Sequence, residues 1–149
     1  MTSETIDAYA GDLAPQQAWD LLVQDGKAVL VDVRSQPEWS FVGLPDLSSL
    51  KKKPLLVAWQ TYTPSAKPPM VPNADFVATV EGAGIDKSSP IIFLCRSGVR
   101  SKAAAIAMTK RGFSRCYNFS GGFEGPHDDA QHRGRVSGWK AAGLPWSQE

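Results

Sequence analysis

The chain has 149 residues, with 42% apolar content and 16 basic against 15 acidic side chains. That is enough chain for one adequate core, so a single domain over 1–149 is expected. A formal charge of +1 offers no footprint for nucleic acid or an anionic membrane surface.

The first residues, Met1 to Gly11, are polar and acidic and lack the basic and apolar regions of a signal peptide. No apolar run approaches the roughly 20 residues that span a bilayer. Two cysteines, Cys95 and Cys116, are too few for a disulfide framework. A cytoplasmic protein with free thiols is therefore expected.

Residues 1–12, continuing to Leu13, are expected to be a loosely packed lead-in. Pro15 suits the first turn of a helix, because its missing N–H has no partner there in any case. Ala18, Leu21 and Leu22 repeat at helical spacing with Trp19 widening the stripe, and Gly26 closes the helix. Ala28-Val29-Leu30-Val31-Asp32-Val33 is an apolar, β-branched run, as in a strand covered on both faces of a parallel sheet. Asp32 and Arg34 fall at its C-terminal end, the edge where open α/β sheets bind ligands. A structural ion pair, or caps for the loop behind the strand, is the favoured reading for them, with Arg34 in a supporting role. Ser35 is a candidate N-cap for a short helix through Trp39.

Lys51-Lys52-Lys53 is expected to be a solvated edge before a second strand, Leu55 to Trp59. Four prolines between Tyr62 and Pro72 argue against regular structure in a segment that walls the ligand edge, meets a partner or is only a stiff surface connection, and the sequence does not separate these. Asn73 is expected to cap a helix bearing Phe76, Val77 and Val80. Pro90 to Leu94 is the most apolar strand. A helix over 101–111 ends at Gly112, and Arg115 to Phe119 forms a last short strand. After the Gly121-Gly122 turn comes a loop over 123–135, then a helix over 136–142. Strands alternate with helices, which predicts an α/β fold with a mainly parallel central sheet and helices on both faces.

The stretch that carries chemistry is Cys95-Arg96-Ser97-Gly98-Val99-Arg100-Ser101. It places one thiol between a buried strand and a helix N-terminus. Helix N-termini and nearby cations favour the thiolate, the nucleophilic form of cysteine. Gly98 can take positive φ and turn successive N–H groups inward as an anion nest. Arg96 and Arg100 add positive charge. The loop is suited to a sulfur anion and one further anionic group. A cysteine packed as a small hydrophobe is the bland alternative, and the two-arginine loop argues against it.

This stretch resembles the active loop of the rhodanese, or thiosulfate sulfurtransferase, family. Asp32-Val33-Arg34 with Glu38-Trp39 resembles the family's first block. Gly112-Phe113, Asn118 and Gly121-Gly122 resemble its post-loop block, and Trp139 with Gly143-Leu144-Pro145 its closing signature. The resemblance implies a rhodanese-like fold; no cofactor and no metal are expected. It implies a Cys95 persulfide, formed from a small sulfur donor such as thiosulfate and emptied by a thiol or cyanide acceptor. It implies that Arg100 orients the loop and the donor. Arg96 would bind the donor's sulfonate end, while Ser97, Gly98, Val99 and Ser101 would complete the substrate-binding loop. Arginine suits these tasks because its planar fork grips oxyanions. The chain departs from the family where a Gly-His-Ile-type stretch is often found, reading Val42-Gly43-Leu44-Pro45, and in the length of its 123–135 loop.

Three rivals remain. Phosphatases and arsenate reductases use a related loop with one more residue between cysteine and arginine. The smaller ring here suits one sulfur atom. A non-catalytic sulfur-carrier or binding module is the second. Metal binding by His127 and His132 with Asp128 and Asp129 is the third, and their spacing fits no fixed zinc pattern. Cys116 could in principle resolve an oxidised Cys95, but its apolar strand favours a packed cysteine.

Overall fold

The computed structural model describes residues 8–148. In chain order it contains β1 (Gly11–Leu13), α1 (Pro15–Gln24), β2 (Val29–Asp32), α2 (Gln36–Phe41), β3 (Leu44–Pro45), a 3-10 turn at Ser48–Leu50, and β4 (Leu55–Leu56). There follow β5 (Gln60–Tyr62), β6 (Met70–Pro72), α3 (Phe76–Glu81), β7 (Ile91–Leu94), α4 (Val99–Lys110), β8 (Cys116–Phe119) and β9 (Trp146–Ser147). The main sheet has five strands in the order β1-β8-β7-β2-β4, all pairing in parallel. The α/β architecture with a parallel central sheet is the one the alternating pattern predicts.

Side chains on a strand point alternately to opposite faces, and β7 uses both. Ile91, Phe93 and Cys95 join one buried cluster with Phe76 and Val80 of α3 and Ala104, Ala105 and Met108 of α4. Ile92 and Leu94 join the other, with Ala18 and Leu22 of α1 and with Phe119, Phe123 and Trp139. The strand is apolar throughout because helices cover both sides. In α4 the buried residues are Ser101, Ala104, Ala105 and Met108, a spacing of three and four that lays one stripe on the sheet.

Several expectations are corrected. The lead-in is not loose where it is described: β1 pairs with β8, register Gly11↔Tyr117 to Leu13↔Phe119, and Ala10 N donates to Cys116 O. Residues 1–7 lie outside the described residues. The proline-rich segment contains an antiparallel hairpin, β5 on β6, with Gln60 opposite Pro72 and Tyr62 opposite Met70. Pro64, Pro68 and Pro69 fall in its connection, and Pro72 ends an edge strand, where a missing N–H is tolerated. The second strand is only Leu55–Leu56, although Val57 N and Trp59 N still bond Asp32 O and Val33 O. Asn73 does not cap α3. Asp75 holds that position, and Asn73 ties the turn by donating to Ala58 O and accepting from Asp75 N.

Lys52 is not part of a solvated edge, since its Nζ donates to Asp25 O and Ala28 O, both at 2.8 Å. The helix expected over 136–142 is absent. Gly138 has φ +101°, and a Cβ there would meet Gly122 O and Gly121 O. That close approach breaks the helix and turns Trp139 into the core, where its ring is fully buried. The chain then ends in β9, which pairs with β3.

Candidate active site

The C-terminal ends of β2 and β7 lie side by side, with Asp32 in register with Leu94. Cys95 follows directly on β7. Its carbonyl accepts from Phe123 N, and the Arg96 carbonyl accepts from Glu124 N and Gly125 N. The loop therefore rests on the turn that follows β8. Gly98 has φ +115°, the conformation expected of it, and its N–H donates to Cys95 Sγ at 3.0 Å. α4 starts at the next residue, so the sulfur lies at a helix N-terminus.

The sulfur has a second partner, Ser101 Oγ, at 3.1 Å. Ser101 is fully buried and donates to Asn118 Oδ1 at 2.5 Å. It lies beneath the sulfur, away from the substrate cleft the family resemblance assigns it to. Cys95 itself is only 1% exposed. It packs in the core cluster and is still held by the Gly98 N–H and the Ser101 hydroxyl, whereas the Cys116 thiol donates to the Phe113 carbonyl.

Above the loop is a cleft of roughly 300 Å³ lined by Ser35, Glu38, Gln60, Met70, Arg96 and Arg100. Gln60 and Met70 come from the two strands of the β5–β6 hairpin, so the proline-rich segment walls this edge. Arg100 Nη1 and Nη2 bind Glu38 Oε1 and Oε2 at 2.8 and 2.9 Å, a bidentate pair joining α4 to α2. Glu38 Oε1 also accepts from Ser35 N and Ser35 Oγ, closing the α2 N-terminus as a capping box does. For Arg100, burial opposes the charge and the hydrogen bonds and charge of Glu38 more than restore it.

Burial alone would raise the Glu38 carboxyl, but the hydrogen bonds from Arg100 and Ser35 outweigh it and hold the group at about 2, against an ordinary 4.5. A depressed carboxyl contributes stability that is present above its unfolded value and lost as pH falls through the folded one. Wild-type unfolding temperature should therefore fall between about pH 5 and pH 2 more steeply than that of Glu38→Gln, with up to about 3 kcal/mol at stake. Parallel melting curves across that window would show that the pair contributes nothing.

Asp32 and Arg34 form a fully buried pair, with Arg34 Nη2 at 2.6 Å from Asp32 Oδ2 and Nε within reach of both oxygens. Arg34 also donates to Gly43 O and lies over the Phe123 ring, 4.2 Å from its centroid. The pair braces the β2 end and is not among the residues lining the cleft. Of the other loop residues, Ser97 is exposed and Val99 is 78% exposed, presenting an apolar side chain to solvent beside the site.

Glu38, Gln60, Met70 and Asn118 belong to the site without having been assigned a role from the sequence. Ser35 and Glu38 have capping-box spacing, but the Glu38 contact with Arg100 spans 62 positions and no local pattern announces it. Cys116 is the register partner of Ile91, four residues before Cys95, so the two thiols stand about 13 Å apart along the sheet. No disulfide can join them. Burial pushes the Cys116 thiol up to about 11. Asp128 Oδ1 accepts from the backbone of Ala130 and His132, closing a turn in the 123–135 loop. Among the described residues no group of three or more His, Cys, Asp or Glu is arranged to hold a metal ion, and no helix is long and apolar enough to cross a membrane.

Comparison with known proteins agrees with this geometry. A crystal structure of Rv0390 from M. tuberculosis superimposes with a TM-score of 0.84 at 46% identity, covering 95% of this chain and all of that one. An uncharacterised Rickettsia rickettsii protein, the RP600 homologue, is 40% identical over 136 residues, 91% of this chain and 95% of its own length. Thiosulfate sulfurtransferase GlpE of Actinobacillus pleuropneumoniae is 25% identical over 139 residues, 90% of each chain. The family model for the rhodanese-like domain matches residues 14–128. With a cysteine-arginine loop at the C-terminal edge of a parallel sheet, and with most of its length matched, the chain belongs to the rhodanese-like domain family.

Proposed function

We propose that this protein is a sulfurtransferase that carries sulfane sulfur on Cys95, with thiosulfate as a competent donor and a thiol, or cyanide in assay, as acceptor. The observation that carries the reading is the Gly98 N–H on Cys95 Sγ, inside a six-residue loop from Cys95 to Arg100 at a helix N-terminus. The ring closes on one sulfur atom, and the N–H groups of the first helical turn are the donors available to a second, anionic sulfur. The name of GlpE supports thiosulfate as the donor.

In the first half-reaction the Cys95 thiolate attacks the outer sulfur of thiosulfate. The new S–S bond forms as the bond to the sulfonate sulfur breaks, sulfite leaves with that electron pair, and Cys95 holds a persulfide anion. In the second, cyanide attacks the terminal sulfur, thiocyanate departs, and the thiolate is restored. This is covalent catalysis with ping-pong kinetics. Arg96 carries no ion pair among the described residues and lines the cleft, which supports assigning it the sulfonate. Arg100 is engaged by Glu38 and acts on the loop: it ties the start of α4 to α2. The reading places the protein in a reducing compartment, the cytoplasm, where Cys95 stays free.

The test is mass spectrometry after incubation with thiosulfate. One added sulfur, about 32 Da, should appear on the peptide bearing Cys95, and cyanide should remove it. Absence of the adduct, or its persistence in Cys95→Ala, rules the reading out. Aryl phosphate hydrolysis lost in the same variant would instead support a phosphatase.

A further inference from the structure

Four hydrogen bonds run from the surface to the reactive sulfur, and their donors and acceptors are not interchangeable. Asp12, exposed on the edge strand β1, accepts at Oδ1 from Tyr9 Oη and from Asn118 Nδ2, each at 3.0 Å. The two strands hold Asp12 and Asn118 directly in register. A carboxylate can only accept, so it draws the NH₂ side of the Asn118 amide outward. The amide oxygen then faces Ser101, which must donate to it at 2.5 Å. Ser101 has one proton and has spent it there. The 3.1 Å contact between Ser101 Oγ and Cys95 Sγ would fit either atom as donor, but with the hydroxyl proton spent on Asn118 only lone pairs remain on Ser101, which leaves the cysteine S–H to donate.

We propose that Asp12 is a positioning residue for Cys95. Acting through Asn118, it sets the direction of the Ser101–Cys95 hydrogen bond and so holds the resting sulfur as a protonated donor. Releasing that proton leaves an anionic sulfur against a serine lone pair until the Ser101 hydroxyl swings across and gives up Asn118. The chain is thus a restraint on the resting thiol, lifted when the hydroxyl turns. Asp12 lies outside the cleft and outside the Cys95–Ser101 loop, and nothing in its local sequence points to the thiol. The other charges around the sulfur are Arg96 and Arg100 from the loop and α4, Glu38 from α2, and the Asp32–Arg34 pair at the end of β2. Lys102 lies over the Tyr9 ring at 5.8 Å. All of these are unchanged in the variants below.

The proposal concerns the sulfur named in the functional reading, but its test reads alkylation and not sulfur transfer, so the two can fail separately. The rate of Cys95 carbamidomethylation by iodoacetamide is followed by intact mass across pH. Asp12→Lys offers a donor to Asn118, favours the turned amide and lets Ser101 donate to the sulfur. The rate at about pH 6.5 should rise roughly three- to tenfold and the whole profile should move to lower pH. Asp12→Ala, which removes the acceptor without adding charge, should move it the same way by less. Asp12→Asn can turn either its oxygen or its NH₂ toward Asn118, so its profile should fall between those of wild type and Asp12→Lys. In a Ser101→Ala background the variants at position 12 should coincide. The proposal is overturned if Asp12→Lys and Asp12→Ala both follow the wild-type profile. It is equally overturned if the Asp12→Lys shift persists without Ser101, because the effect is then simple charge acting through space.

Discussion

Asp32→Ala should lower the unfolding free energy by about 3–5 kcal/mol, the range for removing one partner of a buried ion pair. For a chain of this length that corresponds to a fall in unfolding temperature of about 6–20 °C. Both side chains are fully buried, so neither water nor salt screens the loss. Arginine does not shed its charge, and the guanidinium left behind would keep only the Gly43 carbonyl and the Phe123 face. Its Nη1 has no hydrogen-bond partner even in the intact protein. The double variant Asp32→Ala/Arg34→Met removes both charges and should be markedly more stable than the sum of the two single changes predicts. Thermal unfolding of the four proteins measures the coupling. A single-variant shift within about 2 °C of wild type would mean that the pair contributes no net stability.

The same pair illustrates what the sequence made legible. Asp32 and Arg34 flank the last residue of an apolar run, so a structural role at the sheet's C-terminal edge follows from local spacing, as an ion pair or as loop caps, and the structure has the ion pair. The Cys95 loop, the strand before it and the alanine-rich helix after it are likewise short-range patterns, and the structure has them where the pattern puts them. What local pattern does not carry is tertiary pairing. β1 is three residues long and exists because β8 offers it a free edge. The β5–β6 hairpin survives four prolines because each falls where no ladder N–H is required. The absent helix over 136–142 fails through Gly138, whose backbone sits against that of Gly121 and Gly122. Helical spacing in Val136 to Ala142 gave no warning of that contact. Asp12, Glu38 and Asn118 reach the site only through partners 106, 62 and 17 positions away.

Gly122→Ala should disable the active loop more severely than any other single glycine change outside it. Gly122 has φ +70°, where a Cβ costs about 1–2 kcal/mol on its own. The added carbon would also collide with the Arg96 carbonyl and come within 2.5 Å of Ser97 N. Those atoms are backbone and cannot swing aside. The peptide that must move links the residue after Cys95 to the one before Gly98, whose N–H holds the sulfur. A shift of a few tenths of an ångström there loosens both the Gly98–Cys95 bond and the bracing of the Arg96 carbonyl by Glu124 and Gly125. Losing preorganised donors at a developing anion typically costs about 100- to 1,000-fold in rate. If the protein is the proposed sulfurtransferase, thiosulfate turnover should fall by about that factor, with persulfide yield on Cys95 falling in parallel. Gly84→Ala supplies the control: it also has positive φ, at +80°, but no atom lies within 4 Å of its Cβ position. It should lose about 1–2 kcal/mol of stability and keep its turnover. If Gly122→Ala behaves like Gly84→Ala, the turn after β8 does not hold the catalytic loop.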